Sequence, residues 1–201
     1  VQFGTLRVLN DDTVAAGMGF GTHPHDNMEI ITIPLEGDLA HKDSMGNAAT
    51  IKTGDVQVMS AGTGIQHSEF NPNHDQHTKL FQIWLFPRVR NVEPRYQQIT
   101  LDVMKKKNNF AQILSPNSDD EGVWIHQDAW FYLADFDAAF SKTYELKKEG
   151  NGMYIFVISG TITVDGQELE TRDGLGIIDF GTLEIKATTE AKFLMMEIPM
   201  Q

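Results

Sequence analysis

In the stretch from Gly21 to Glu69, five side chains are of types that bind metal ions and move protons. His23 and His25 flank a proline in Gly-Thr-His-Pro-His, and Glu29 follows four residues later. His67 and Glu69 close the run Gly64-Ile-Gln-His-Ser-Glu. Side chains two apart on an extended strand share a face and stand about 6.6 Å apart along it. His23 and His25 therefore project together, Glu29 joins them if the strand runs unbroken, and His67 and Glu69 form a second same-face pair. Two such pairs on facing strands can surround one ion, and imidazole with carboxylate suits iron, nickel, copper or zinc. Spacing alone leaves open whether Glu29 or Glu69 is the carboxylate ligand.

Short strands must hold these donors in place. Residues 6–9 read as a strand and Asn10-Asp-Asp12 as the turn that ends it. Proline cannot donate to a central ladder, so Pro24 places the first histidine pair at an edge, at a bulge or in a loop entering a strand. Strands are expected over 29–35, 39–42, 49–52, 56–59 and 80–86, separated by turn signals at 36–37, 43–47 and 53–55. Phe20, Trp84 and Phe86 are candidate pocket residues, but the continuous apolar run around Trp84 and Phe86 favours a core role for those two. His74 and His77 lie in a polar loop, and His41 and His126 have no ligand spacing around them. All four read as ordinary histidines. Residues 88–121 give weak signals, with a strand or short helix at 99–104 and a solvated lysine run at 105–107, and read as a connection.

The second half repeats the pattern of the first. Ile33-Pro-Leu-Glu-Gly37 matches Phe156-Val-Ile-Ser-Gly160, Gly54-Asp-Val-Gln-Val matches Asp173-Gly-Leu-Gly-Ile, and Asp165-Gly166 signals a hairpin. In register with Gly160, however, His23, His25 and Glu29 fall on Leu146, Lys148 and Gly152, and no histidine follows His126. Many short strands with regular turns indicate a sandwich or barrel. The expected architecture is all-β: a metal-binding unit over 1–104 and a second unit over 105–201 without metal ligands.

The 201 residues, 41% hydrophobic and 22% charged, can bury a real core. A net charge of -12 argues against a nucleic-acid-binding surface. With no cysteine, the chain has no disulfide, thiolate ligand or thiol nucleophile. No apolar run approaches a membrane span and no signal peptide is visible, so the cytoplasm is the expected location. The chain opens at Val1 without a methionine, as a fragment or a processed form would.

The paired motifs resemble those of cupins and, more narrowly, those of the pirin family. The residues that carry the resemblance are Leu6-Arg-Val-Leu-Asn10, His23-Pro-His25, Leu35-Glu-Gly37, Asp43-Ser-Met-Gly-Asn47, Gly54-Asp-Val-Gln57, Ala61-Gly-Thr-Gly-Ile65 and His67-Ser-Glu69, with Gln82-Ile-Trp84 extending it. The resemblance implies a bicupin of two jelly-roll barrels with short helices in the connection and one metal in the N-terminal barrel. It also implies the ligand set His23, His25, His67 and Glu69. In the general cupin pattern the glutamate of the first motif, here Glu29, binds the metal instead. Family members carry further residues ahead of Phe3 that add strands to the first barrel.

Iron is the metal the resemblance favours, with nickel, copper, manganese and zinc compatible with the same donors. The activity it implies is a quercetin 2,3-dioxygenase-like ring opening of a flavonol by O2 in a monomeric protein. Glu69, or Glu29 if it is not the ligand, would take the hydroxyl proton. The alternative is a non-enzymatic, metal-binding regulator that contacts a protein partner in a redox-dependent way.

Overall fold

The computed structural model describes residues 2–201, the side chains of Val103 and Met104 aside, so Val1 lies outside the described residues. The chain divides into two compact units. One comprises Gln2, Leu6–Leu101 and Asn117–Gln127, and the other Phe3–Thr5, Asp102–Pro116 and Asp128–Gln201. Each is a pair of open antiparallel sheets. The expected short helices in the connection reduce to one 3-10 turn, Val103–Lys106, and no α-helix occurs among the described residues. Among the described residues no helix is long and apolar enough to cross a membrane.

The first unit contains β1 (Leu6–Val14), β2 (Gly19–His25), β3 (Glu29–Glu36), β4 (Leu39–Asp43), β5 (Ala48–Ile51), β6 (Asp55–Ser60), β7 (Ile65–Phe70), β8 (Thr78–Leu85) and β9 (Arg95–Thr100). They form the sheets β1-β8-β3-β6-β9 and β2-β7-β4-β5. Strand β6 is buried along its whole length, as befits a strand covered on both faces. In β7, Ile65, His67 and Glu69 are buried and alternate with more accessible neighbours, the period-two signature of a strand with one wet face. One apolar cluster is Val14, Leu39, Ile51 and Leu80, and another is Ile30, Met59, Ala61 and Ile65. Along β3, β7 and β8 the inward polar residues Thr32, His67, Glu69 and Gln82 lie beside these clusters.

Two expectations fail here for the same reason. Asn10–Asp12 do not turn; they continue β1 to Val14, paired with residues 80–82 of β8. Residues 88–121 are more than a connection, because Arg95–Thr100 pairs with β6 along its full length. Both are edge strands with one side open to solvent, so the ladder holds polar residues that propensity assigns to loops.

The second unit repeats this strand order over eight strands, with Phe110–Ser115 added beside Trp130–Phe136. Trp130–Phe136, Ala191–Pro199, Asn151–Ser159 and Gly174–Ile177 correspond to β1, β8, β3 and β6. Ser141–Glu145, Thr182–Ala187, Ile162–Val164 and Gln167–Leu169 correspond to β2, β7, β4 and β5. Asp165-Gly166 forms the expected two-residue hairpin, both residues at positive φ. The sequence register slips elsewhere. Asp55 and Asp173 each accept the amide hydrogen of the residue three before, so these two correspond, rather than Gly54 and Asp173. Tyr144 pairs with Leu183 as His23 pairs with His67, so a tyrosine, not Leu146, stands in the place of His23.

This unit has its own buried polar node. Glu197, wholly buried, accepts hydrogen bonds from the Tyr144 hydroxyl (2.7 Å), the Lys147 and Lys148 amides (2.8 and 3.0 Å) and Asn151 Nδ2 (2.9 Å). Four donors aimed at one carboxylate pin the loop from Leu146 to Gly150 to the sheet. Glu197→Leu leaves all four without that acceptor, and the expected loss is roughly 3–5 kcal/mol by urea denaturation. An unchanged midpoint would show that the node is dispensable.

Candidate metal centre

The centre is built on β7, which lies between β2 and β4. His67 stands opposite His23 on one side and Asp43 on the other, and Glu69 stands opposite Phe20 and His41. Of the places that Pro24 allows, β2 takes an edge of its sheet, and its register shifts between Phe20 and His23. The shift brings the rings of His23, His25 and His67 together, with centroids 4.4–5.0 Å apart. A ring nitrogen from each lies within 4.8 Å of the others.

The hydrogen bonding of these rings is incomplete in an informative way. His23 Nδ1 donates to the Gly21 carbonyl at 2.8 Å, which leaves Nε2 as the lone-pair nitrogen. His25 Nε2 and both nitrogens of His67 are buried and make no hydrogen bond. Burial, reinforced by the facing rings of His23, His25 and His41, pushes His67 down to about 3. Burial and His23 also lower His25. Buried neutral imidazoles with unused lone pairs fit a transition-metal ion, and a structural role would instead leave polar atoms unsatisfied.

Glu69 lies deeper. It accepts from Gln82 Nε2 at 2.6 Å and from Thr32 Oγ1 at 3.4 Å, and burial raises it above the usual carboxylate range. Trp84 Nε1 donates to Gln82 Oε1 at 3.1 Å, which turns the amide so that its NH2 faces Glu69. The Trp84 ring meets His25 edge-on, with centroids 4.9 Å apart, so this tryptophan belongs to the wall of the centre rather than to plain core. Phe86 is not core either; it is partly exposed in a cleft of about 310 Å³ with Met28 and Arg90. Gln82 and Thr32 were not singled out as site residues, although their parity with Trp84 and Ile30 would have placed them on this face.

Glu29 is not brought to the histidines. The strand breaks after His25, where Asn27 adopts a left-handed conformation (φ 45°), and β3 begins afresh at Glu29. Thr32 faces Glu69, so Glu29, three residues away, faces the opposite side of the sheet. There it accepts from Ser60 Oγ at 2.6 Å and feels Arg95, whose guanidinium lies 3.8 Å over the Trp124 ring. His41 corrects an expectation in the other direction. It is buried, with its ring centroid 5.4 Å from that of His67, and its Nε2 is 3.1 Å from Asp43 Oδ2. The same-face trio Leu39, His41 and Asp43 carried the signal. His74 and His77 are exposed in their loop as expected, and His126 packs against Trp124.

Beside His25 opens a cleft of about 600 Å³ whose walls include Pro24, Ser44, Thr63, Gly64 and Ile65. Its volume falls among those of small-molecule sites. Three loops at this end are tied together. Asn27 and Asn91, both left-handed, exchange hydrogen bonds of 3.2 and 2.6 Å. The Asn27 amide donates to Gly62, and the Thr63 amide to Val92. Gly62 must be glycine, since a Cβ there would lie 2.1 Å from the Val92 carbonyl oxygen.

Burial moves Glu29 from 4.5 up to about 7 against the opposing pull of Ser60 and Arg95. The folded chain therefore holds this proton more tightly than the unfolded chain. The stability so gained is complete below about pH 4.5 and is lost as the pH rises through 7. Between pH 5 and pH 8 the unmodified protein is expected to lose about 2–3 kcal/mol more stability than Glu29→Gln, measured by urea denaturation at both values. Parallel profiles would show that Glu29 is ionised throughout.

Residues 2–85 match the Pirin family model, and residues 112–198 match the model for the quercetinase C-terminal cupin domain. A quercetin 2,3-dioxygenase of Escherichia coli (strain K12) is 40% identical over 201 residues, which span 98% of this chain and 84% of that one. A pirin-like protein of Caulobacter vibrioides is 37% identical over 198 residues, 98% of this chain and 84% of that one. Among solved structures, YhhW from Escherichia coli superposes with a TM-score of 0.93 at 38% identity, covering 98% of this chain and 82% of that one. The bacterial pirin YhhW in complex with nickel(II) gives 0.92 at 38% identity, covering 98% and 83%.

Proposed function

The chain belongs to the pirin family, and we propose that it is a metal-dependent dioxygenase that opens the central ring of a flavonol such as quercetin with O2. The observation that carries the reading is the convergence of His23, His25 and His67, with unpartnered ring nitrogens, beside an open cleft. The relatives named quercetin 2,3-dioxygenase and the nickel(II) complex of a relative support it. The proposed ligands are His23, His25, His67 and Glu69, the metal is iron with nickel, copper, manganese or zinc able to replace it, and the protein acts as a monomer. Residues 1–104 carry the chemistry, and residues 105–201 are structural.

The ion would supply Lewis-acid activation of a chelated keto-hydroxyl ring toward dioxygen. The chain's own residues do the rest. Gly21 fixes the His23 tautomer, and Trp84 walls the site beside His25. Glu69 takes the proton of the substrate hydroxyl on a carboxylate oxygen, while Gln82 and Thr32 hold that carboxylate in position. Glu29 has no part in this step, because it lies on the far face of its sheet.

A second reading, the redox-dependent regulator, is favoured by one feature. Met18, Phe20 and Phe70 are 62, 45 and 47% exposed around the pairing of β2 with β7, an apolar surface suited to a protein partner. Aerobic turnover of quercetin, followed by its absorbance, separates the two. Protein reconstituted with iron, nickel, copper or manganese is expected to consume quercetin. Chelation should abolish turnover, and His67→Ala should lower kcat/KM by about a hundredfold or more. No turnover with any of the four metals ends the oxygenase reading. A partner captured in one oxidation state only, and lost in His67→Ala, would then favour the regulator.

A further inference from the structure

We propose that the first unit has a second, inner cation position formed by His41, His67 and Glu69, which shares His67 and Glu69 with the outer position proposed above at His23, His25, His67 and Glu69. The inference rests on the reading that this unit binds a metal, and it assigns His41 a role that neither motif spacing nor the pirin resemblance gives it.

Ligand atoms of His41, His67 and Glu69 lie within 4.8 Å of one another, and all three residues are buried. The outer histidines form a separate group of the same compactness, with His23 and His25 half-buried. His41 is prepared as a donor. Its Nε2 is held by Asp43, and Asp43 is itself fixed by the Met45 amide (2.9 Å), the Asn47 amide (3.0 Å) and Asn47 Nδ2 (2.8 Å). The carboxylate accepts the Nε2 hydrogen, so the lone pair is left on Nδ1, which is buried and makes no hydrogen bond. A carboxylate behind an imidazole is the usual outer support of a ligating histidine. Tyr96 packs over the ring, with centroids 5.0 Å apart, and holds its plane.

The two positions differ in donor chemistry. Three neutral imidazoles and the shared Glu69 line the outer one. Two imidazoles and a carboxylate line the inner one, a less nitrogen-rich set suited to the harder manganese(II). A neutral imidazole has a single lone pair, so His67 serves one position at a time and the positions are alternatives. The metal supplied then decides which is filled: manganese(II) the inner, nickel(II) the outer.

Metal-free protein is titrated with Mn2+ and Ni2+ separately, with bound metal read by equilibrium dialysis and Mn2+ also by its EPR signal. His23→Ala/His25→Ala is expected to keep binding one Mn2+ per chain, and adding His41→Phe should weaken that binding about tenfold or more. A double variant that binds no Mn2+, or a third substitution without effect, overturns the inner position. If circular dichroism shows the double variant unfolded, His41→Phe alone decides. Its Mn2+ affinity should fall at least tenfold further than its Ni2+ affinity, and equal changes overturn the proposal. Unmodified protein that binds Ni2+ and turns over quercetin while these tests fail would leave the dioxygenase reading intact. Unmodified protein that binds neither ion would remove the ground beneath both.

Discussion

Burying several imidazoles side by side inside one β unit leaves ring nitrogens with nothing to bond to, and the rest of the site follows from that constraint. Each unsatisfied buried polar group costs about 1–3 kcal/mol. His25, His41 and His67 cannot relieve this by taking up protons, since burial makes each a weaker base. Backbone pairing holds the rings in place, with the Gly21 carbonyl behind His23 and Asp43 behind His41. A cation is the natural partner for such an arrangement.

The second unit shows the same framework with the constraint removed. Where His23 and His67 face each other in the first unit, Tyr144 and Leu183 do so in the second. The Tyr144 hydroxyl is spent on Glu197, whose carboxylate also receives two backbone amides and an asparagine. Its buried acid is thus satisfied by the protein itself. Among the described residues Glu69 accepts only from Gln82 and Thr32, which leaves acceptor capacity unused.

Much of this was legible in the sequence, because strand parity is a local property. The alternation of Ile65, His67 and Glu69, the few places that Pro24 allows and the Asp165-Gly166 hairpin all follow from residue type and spacing. What was not legible depended on pairing with distant chain. Asn10–Asp12 look like a turn until β8 supplies a ladder. Glu29 looks like a ligand until the left-handed Asn27 breaks the strand and resets its parity. His41 looks ordinary until β4 docks beside β7 and turns it toward His67. The one-residue slip in the internal repeat likewise came from matching glycines, whereas the aspartate that closes the turn is the true landmark.

The reciprocal asparagine clamp bears on how the cleft wall beside it can move. Asn27, Gly62, Thr63, Asn91 and Val92 link three loops through backbone and side-chain hydrogen bonds, and Gly62 leaves no room for slack against Val92. No single loop can swing aside without breaking bonds to the other two. Thr63, a wall residue of the cleft beside His25, is thereby braced through Val92 against its neighbours, so this wall is a fixed buttress and not a free-hanging flap.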